Sequence, residues 1–469
     1  MRFMPMIAFL AGIAAAQTPP ADWKTINWKT QEAETLRHYS ALVQIDSSNP
    51  PGNETAVVTY LKKVFDAEGI PAQVVALEPS RANLVARIKG NGSKRPVLLM
   101  AHTDVVGVQR DKWPVDPFGA MRKDGYIWGR GTVDDKDKLA ANLMLMLLLK
   151  RTGAKLDRDV IFLAESGEEA TTKPGIEFMV NQHFDLIDAE FCLTEGGGAT
   201  LSNGRVTTVT VSTTEKLPRR IRLVVNGTSG HGSIPRIDNA LVHLSAAVAK
   251  IGTWETPLRL NDTTRTYFER LAGISPPEMA ARYNGITDSK RTAAIQRYLA
   301  ENEPMHYSML RTSVVPTILS AGFRMNVIPS QAEATIDVRM APGEDQNAFF
   351  LQMQRVIGDS SVKIERLTDG ERPPTVPSRL DTDMFRALET VSKRLYPGSL
   401  TLPTMLTGAT DMAFLRAKGI QSYGIGPASS DTDRTNYGAH SDVERLLESS
   451  LYSFVRFTWE SVVEVAASK

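Results

Sequence analysis

The chain has 469 residues, of which 42% are hydrophobic and 23% are charged, and its 54 Lys and Arg balance its 53 Asp and Glu. This length supports a large hydrophobic core and predicts two domains. The net charge of +1 argues against a nucleic-acid-binding groove and against a polybasic membrane surface. Cys192 is the only cysteine, so the fold has no internal disulfide and must rest on its core.

Residues 1–16 have the features of a secretory signal peptide. Arg2 supplies the positive start, an apolar run follows, and alanines at 14–16 form a small-residue cleavage site. The alternative is an apolar helix that stays attached. The segment is short for a bilayer span, and no later run has the length and apolarity of a membrane helix. We therefore predict an exported protein, periplasmic or secreted, with no membrane span.

The next part of the chain, residues 17–215, alternates between short apolar runs and helical patterns. The runs have the length of buried strands and lie at 72–77, 82–88, 97–101, 160–164 and 190–194. Helices are predicted at 53–70, with one apolar face, and at 136–151, which is apolar over most of its surface. This alternation predicts an α/β layered catalytic domain around a central, mostly parallel sheet.

Acidic and histidine side chains follow three of these strands. His102 comes at the end of the strand at 97–101, and Asp104 lies two residues on. Glu168 and Glu169 follow the strand at 160–164, and Glu195 follows the strand at 190–194. Functional loops gather at the carboxyl ends of parallel strands, so we expect these side chains to meet. Carboxylates in one cleft repel one another, and a divalent cation removes that cost.

Residues 216–371 change character and predict an inserted domain. The order strand, helix, strand, strand, helix, strand indicates a ferredoxin-like α+β unit, within which 258–310 is helix-rich and has no assigned role. His231 lies in a glycine-rich loop of this domain. Prolines at 373, 374 and 377 mark the exit. The α/β pattern then resumes over 372–469, with a final helix predicted at 443–463.

Two histidines and several carboxylates form the candidate metal site. In sequence order they are His102, Asp134, Glu168, Glu169, Glu195 and His440. Nitrogen and carboxylate ligands suit Zn²⁺, with Co²⁺ or Mn²⁺ as alternatives. An open catalytic site needs about three protein ligands for one metal, but a set this large could also hold two metals that share a carboxylate. Residue types alone leave both arrangements open.

The ordered motifs resemble the M20 family of metallopeptidases over nearly the whole mature chain. They are His102-Thr103-Asp104, the Gly129-Arg130-Gly131-Thr132-Val133-Asp134 turn, Glu168-Glu169, Glu195 and His440. The resemblance implies that His102 and Glu195 bind one Zn²⁺, that Glu169 and His440 bind a second, and that Asp134 bridges them.

The same resemblance assigns roles to the other side chains of the site. It implies a cis peptide bond after Asp134, Asp104 as the partner of His102, and Glu168 as the general base. In the inserted lid and dimerisation domain, His231 resembles a histidine that often reaches the partner's active site in a homodimer. Substrate contacts are implied for three further residues, namely Asn326, Arg339 and Gly408.

The predicted function is hydrolysis of an amide bond next to a free carboxylate, by a carboxypeptidase or dipeptidase acting on small peptides. One alternative is deacylation of N-acyl amino acids, because the reacting bond is an amide in both. Others are a non-catalytic binding protein of the same fold and a metal-stabilised structural protein. Asp137 stands where the family often has glycine, and residues 258–310 exceed the compact members in length; both are departures from the family pattern.

Overall fold

The computed structural model describes residues 24–468. The signal peptide predicted for residues 1–16 lies outside these residues. Helices of the described chain are listed here in order: Trp28–Val43, Glu54–Ala67, Lys136–Thr152, Phe178–Gln182, Phe184–Ile187, Ala240–Gly252, Asp262–Ile274, Pro277–Asn284, Thr292–Asn302, Pro304–Met309, Gln346–Ile357, Asp383–Leu395, Met412–Ala417, Asp431–Asn436 and Glu448–Ala466.

The largest sheet within residues 24–468 has ten strands. Nine follow one another across it in the order Ala72–Ala76, Ala82–Ile88, Val160–Glu165, Val97–His102, Phe191–Thr194, Gln421–Gly424, Arg205–Glu215, Gly198–Ser202 and Ala428–Ser429. The tenth, Leu400–Leu406, runs parallel to Arg205–Glu215. The four strands from Val160–Glu165 to Gln421–Gly424 run parallel to one another, whereas several pairs outside this group are antiparallel. The sheet is therefore mixed, with the predicted parallel arrangement at its centre.

The central strands are buried on both faces. All six residues of Val97–His102 and all six of Val160–Glu165 are buried, which is why these strands read as continuous apolar runs. The helix Lys136–Thr152 covers the sheet and is itself buried except at Lys150 and Arg151. The predicted α/β layered fold is confirmed. The three strands that lead to His102, to Glu168 and Glu169, and to Glu195 lie side by side in the sheet.

The second sheet has four antiparallel strands in the order Ser313–Ala321, Gln331–Met340, Leu217–Asn226 and Val362–Leu367. In Gln331–Met340 every second residue is buried, so one face packs on a core and the other faces outward. The helices Ala240–Gly252 and Gln346–Ile357 contribute to that core. This strand order is the ferredoxin-like arrangement expected for the inserted segment.

Residues 258–310, here called the helical insert, pack on the large sheet. The Arg270 guanidinium donates to the main-chain oxygen of Thr401 at 2.8 Å and to Glu389 at 2.6 Å. The hydroxyls of Thr213 and Thr263 lie 2.6 Å apart. The helical insert also has a small core of its own around Phe268 and Leu299. It therefore forms a wall over the strand Leu400–Leu406.

The prediction of a helix from residue 443 was wrong at its start. Arg445–Leu447 is a strand that pairs with Tyr126–Trp128, and the helix begins at Glu448. This pairing ties the carboxyl-terminal part of the chain to the segment that leads into Asp134. Among residues 24–468, no helix combines the length and apolarity needed to cross a membrane.

Candidate metal centre

Two groups of metal-ligating side chains meet at the carboxyl edge of the central strands. In the first metal group, one ligand atom each of His102, Asp134 and Glu195 lies within 4.8 Å of the others. In the second metal group, the same holds for Asp134, Glu169 and His440. Asp134 belongs to both groups, so its carboxylate joins them.

The two oxygens of Asp134 face different histidines. Oδ1 lies 3.0 Å from Nε2 of His102, and Oδ2 lies 3.2 Å from Nε2 of His440. Burial alone would raise the pKa of Asp134, but the hydrogen bonds with the two imidazoles outweigh it and lower the pKa. Each oxygen of this carboxylate is thus directed at one metal group.

The turn that presents Asp134 is held by hydrogen bonds to Glu444. The buried Glu444 carboxylate accepts hydrogen bonds from the main-chain nitrogens of Gly131 at 3.1 Å and Val133 at 2.8 Å, and from Arg130 at 2.7 Å. Gly131 has a φ of +84°, and a Cβ there would lie 2.7 Å from Val105 Cγ1, so glycine is required. The Asp134–Asp135 peptide bond is cis, as the resemblance implies.

His102 ends a buried strand, and its imidazole is almost fully enclosed. Its Nδ1 lies 3.0 Å from the main-chain oxygen of Asp104 and 3.4 Å from that residue's Oδ1. Burial opposes a charge on His102, but the hydrogen bonds to Asp104 and Asp134 raise its pKa well above the usual value. This arrangement fixes the ring and leaves Nε2 directed at Asp134.

Asp104 does more than orient His102. Its carboxylate accepts hydrogen bonds from the main-chain nitrogens of Gly167, Glu168 and Glu169 at 3.1 to 3.2 Å, and from the Asn49 amide at 2.7 Å. One buried carboxylate therefore shapes the loop that carries Glu168 and Glu169. The sequence predicted only its role beside His102.

The second metal group is the more accessible of the two. The His440 side chain is 55% exposed, against 2% for His102. His440 has a φ of +65°, a backbone conformation that is uncommon outside glycine and concentrates at functional sites. Hydrogen bonds to Asp134 and Glu169 raise the pKa of His440 to about 10.

Glu168 adjoins both metal groups, and an arginine holds its carboxylate. The Arg372 guanidinium donates to Glu168 Oε1 at 2.7 Å and also lies 3.3 Å from Asp411. Burial and the charge of Asp411 raise the pKa of Glu168 well above its usual value, although Arg372 acts in the opposite direction. A carboxylate with a raised pKa is a better proton acceptor.

The donor set fits divalent cations. The first metal group has one imidazole and two carboxylates, and so does the second, since Asp134 is shared. Burial, together with the charge of Glu168, raises the pKa of Glu195 well above its usual value. Bound cations would offset this repulsion, and His and carboxylate ligands suit Zn²⁺ and related ions.

A cleft of about 400 Å³ lies against the second metal group and contains one predicted substrate-binding residue. Glu168, Glu169 and His440 line it together with Arg220 and Arg339 of the four-stranded sheet, here called the small sheet. Arg339 is held by Asp337, with Nε 3.0 Å from Oδ1.

Gly408 is exposed and does not line the cleft, although its neighbour Ala409 does. The structure therefore places Arg339, but not Gly408, in the space beside Glu168.

His231 and Asn326 lie together at a two-stranded sheet of the inserted segment, here called the tip. The short strands Gly230–His231 and Val327–Ile328 pair there, and Gly232 donates to the main-chain oxygen of Asn326 at 2.8 Å. Both side chains are exposed, and His231 Nδ1 contacts Ser233 Oγ at 2.7 Å. Neither residue lines the cleft. The structure thus brings these two residues to each other but not to the metal groups of the same chain.

Three residues of the site escaped sequence analysis, namely Asn49, Arg372 and Glu444. Each is a single polar residue whose partners are distant in the chain, and no motif surrounds it. Glu444 follows His440 at the spacing of one helical turn, but the chain between them is not helical. Only the tertiary contacts identify them.

Comparison with known proteins places the chain in a family. The sequence model of peptidase family M20/M25/M40 matches residues 98–461. A probable carboxypeptidase S-like 2 of Dictyostelium discoideum is 32% identical over 70% of this chain, and the match spans 64% of that relative, less than two thirds of its length. The human N-fatty-acyl-amino acid synthase/hydrolase PM20D1 is 28% identical over 81% of this chain and 77% of its own.

The fold is shared with a solved M20 enzyme. The metallo-carboxypeptidase Sso-CP2 from Sulfolobus solfataricus superimposes with a TM-score of 0.71 at 19% identity, covering 92% of this chain and 98% of that one. The family match extends from the strand that ends in His102 to the last helix. The chain therefore belongs to peptidase family M20, and it is a metallohydrolase that acts on amide bonds.

Proposed function

We propose that the protein hydrolyses the amide bond on the nitrogen of an amino acid whose α-carboxylate is free, as a carboxypeptidase or dipeptidase does. The observation that carries this proposal is the cleft, whose lining brings Arg339 together with Glu168 and His440. A guanidinium is suited to a carboxylate because it can donate two parallel hydrogen bonds. Deacylation of N-acyl amino acids cleaves the equivalent bond and is the second candidate, favoured by a cavity of about 730 Å³ whose lining includes Leu271, Met305 and Met309 of the helical insert.

The roles proposed for the chain's own residues follow from their positions. His102, Asp134 and Glu195 would hold one cation, and Asp134, Glu169 and His440 a second, with Zn²⁺ as the first choice and Co²⁺ or Mn²⁺ as alternatives. When bound, such a pair activates water and polarises the carbonyl group.

Glu168 would take a proton from the water as the water oxygen forms the new C–O bond to the amide carbon. As the C–N bond breaks, protonated Glu168 would deliver that proton to the leaving nitrogen.

A substrate panel tests the proposal. Purified protein should hydrolyse dipeptides or N-acyl amino acids, lose activity with a chelator, and regain it with Zn²⁺, Co²⁺ or Mn²⁺. Converting the substrate's α-carboxylate to a primary amide should lower kcat/KM at least about tenfold, because a charge-assisted hydrogen bond is lost. Equal rates for the two forms would contradict the carboxylate role.

A matched pair of variants connects that preference to Arg339. Arg339→Gln should reduce the preference for the free carboxylate. Arg222→Gln is the control, since Arg222 lies in the small sheet, pairs with Glu365 at 2.8 Å and does not line the cleft. Retained discrimination in Arg339→Gln would place the carboxylate elsewhere.

We further propose that the protein forms a homodimer in which His231 completes the partner's site. Two observations support this. His231 is exposed at the tip, away from the cleft residues of its own chain. The same tip exposes Ile234, Ile237, Phe323 and Met325, an apolar group of the kind that marks an interaction surface.

If His231 donates to the developing oxyanion in trans, His231→Ala should lower kcat by about 10²–10³-fold at unchanged metal content. Mixing inactive His231→Ala with inactive Glu168→Gln protein should restore activity, because each mixed dimer has one site with both residues intact. Glu168→Gln mixed with Asp134→Ala is the control and should stay inactive, since each substitution disables catalysis at the metal centre of its own subunit and the mixed dimer has no intact site. A strong His231→Ala defect without complementation would favour a contact within one chain.

Export is a separate proposal that rests on residues 1–16. Cleavage after Ala16 would leave Gln17 as the first residue. Amino-terminal sequencing of protein recovered from the periplasm or medium checks this, and full-length protein in the cytoplasm would contradict it.

A further inference from the structure

The chain leaves the small sheet through residues 368–372, hereafter the exit segment. They follow the strand Val362–Leu367, which is an edge strand of the small sheet, and they precede prolines at 373 and 374. Proline fixes its own φ and restricts the residue before it to an extended backbone. The exit segment is therefore stiff where it ends, at Arg372.

Consecutive residues of the exit segment bind opposite sides of this junction. The Glu371 carboxylate accepts a hydrogen bond from Arg366 of the small sheet at 3.0 Å. The Arg372 guanidinium instead donates from Nη2 to Glu168 Oε1 at 2.7 Å, and from Nε to the main-chain oxygen of Thr410 at 2.9 Å. A single peptide bond thus connects a contact with the small sheet to a contact with Glu168.

The Arg372 guanidinium is held by more than its contact with Glu168. The bond from Nε to Thr410 fixes the guanidinium at one end, and Nη2 also lies 3.3 Å from Oδ1 of the buried Asp411. The side chains of Arg372 and Glu168 are only 13% and 12% exposed. Solvent ions screen a buried pair much less than a surface pair. This contact can therefore hold the Glu168 carboxylate in one position.

Arg372 has a restricted chemical part in the reaction. A guanidinium stays protonated in proteins, so Arg372 cannot take up or deliver the transferred proton. It also belongs to neither metal group. Among residues 24–468, no other side chain donates to the Glu168 carboxylate, and Arg372 binds Oε1, which leaves Oε2 for the water.

We propose that Arg372 is a positioning residue that places Glu168 for proton transfer, and that the exit segment makes this placement depend on the small sheet. The inference rests on the role of base proposed above for Glu168. A movement of the small sheet relative to the metal centre is transmitted through Glu371 to Arg372 and moves the base. A misplacement of about 1 Å at a reacting group can lower the rate about 10²-fold.

A double-mutant cycle tests the positioning role. Arg372→Met should lower kcat about 10–10²-fold, as expected for a misplaced base, while KM changes far less and both metals stay bound. In the Glu168→Gln background the same substitution should lower kcat less than about threefold, because no base remains to be positioned and the two effects are not additive. Arg339→Gln is the additive control and should lower kcat/KM by the same factor in both backgrounds.

The outcomes of the cycle separate this inference from the proposed function. Equal factors for Arg372→Met in both backgrounds would overturn the positioning role alone. Near-normal turnover of Glu168→Gln would overturn the base as well, since a residue that acts through Glu168 cannot matter more than Glu168 itself. Failure to cleave any amide with metals bound would overturn the proposed function, and this inference with it.

Arg372→Lys keeps the cycle decisive where the methionine variant does not fold. Lysine retains the positive charge beside Glu168 and Asp411, but it is a point charge on a flexible stem and cannot reproduce the contact with Thr410 at the same time. Its kcat should lie below that of wild type, and this deficit should disappear in Glu168→Gln. A wild-type kcat, or a deficit that persists without the base, would overturn the positioning role.

Glu371→Ala tests the link to the small sheet. It removes the ion pair with Arg366 and should lower kcat in the wild-type background but not in Glu168→Gln. An unchanged kcat in the wild-type background would overturn the dependence on the small sheet.

Lys173→Met is the matched control for both variants of the exit segment. Lys173 follows the Glu168 loop and contacts Asp369 of the exit segment at 3.0 Å, with both side chains exposed. Exposed pairs contribute little, so kcat should stay at the wild-type value. A defect as large as that of Arg372→Met would overturn the positioning role, because any contact between the two segments would then suffice.

A crystal structure of Arg372→Met gives a readout that does not depend on turnover. The Glu168 side chain should leave its position, because its hydrogen-bond donor is gone. The main chain of residues 167–169 should stay in place, since the Asp104 carboxylate accepts its hydrogen bonds. A Glu168 carboxylate found at its original position would refute the assignment.

Discussion

Glu168→Gln is expected to lower kcat at least about 100-fold while both metals stay bound. General-base catalysis typically contributes about 10²–10⁴-fold, and an amide cannot accept the proton. The ligands in each metal group are other residues, so metal content should not change. The amide oxygen can still accept the hydrogen bond from Arg372 that Glu168 Oε1 accepts at 2.7 Å. Steady-state kinetics together with elemental analysis of the same sample measure both quantities.

Glu177→Gln is a suitable control for the Glu168 variant. Glu177 follows the Glu168 loop in the chain, does not line the cleft and belongs to neither metal group. It should keep wild-type kinetics. Near-normal turnover of Glu168→Gln at full metal occupancy would remove Glu168 from the role of base. Loss of metal in that variant would mean that its carboxylate supports the ligands rather than the proton transfer.

The centre of the large sheet was predictable because burial on both faces leaves a plain trace in the sequence. The strands Val97–His102 and Phe191–Thr194 are buried throughout, and strands of this kind read as unbroken apolar runs. The strand Leu400–Leu406 was not predicted. It contains Pro403 and polar threonines, and its partner Arg205–Glu215 alternates between polar and apolar residues.

The position of the helical insert could not be predicted for a related reason. Its helices were expected from their composition, but a helix pattern identifies an apolar face without naming the surface that the face covers. Here the covered surface includes the unpredicted strand Leu400–Leu406, reached through the contact of Arg270 with Thr401. The cavity of about 730 Å³ between the helical insert and this strand depends on both elements, so the sequence alone could not reveal it. The predicted boundaries at 215 and 371 remain a prediction.

The metal-binding residues were anticipated in order, although residue types alone left one or two cations open. The structure gathers His102, Asp134, Glu169, Glu195 and His440 at one edge, and their roles as ligands remain predictions. Orienting residues such as Arg372 and Glu444 were missed because a single charged residue usually reads as solvated surface. His231 is the opposite case, since its loop was noticed but the structure places it outside the chain's own cleft.

Asp134→Ala is expected to weaken the binding of both metals, by at least about 100-fold each. Removing a residue that only orients a metal ligand typically costs 10–100-fold in affinity, and the loss of a direct ligand should reach or exceed that range. Both sites should be affected because Oδ1 faces His102 and Oδ2 faces His440, at 3.0 and 3.2 Å. Calorimetric titration of the metal-free protein with Zn²⁺ measures the number of sites and their affinities.

Two single-site variants make the interpretation of that experiment specific. Glu195 belongs only to the first metal group and Glu169 only to the second, so Glu195→Ala and Glu169→Ala should each weaken one site and largely spare the other. Circular dichroism of the metal-free proteins checks that the fold is retained in all three. If one ion still binds Asp134→Ala with wild-type affinity, the carboxylate serves a single cation. The shared bridge would then be ruled out, although the two groups could still hold separate ions.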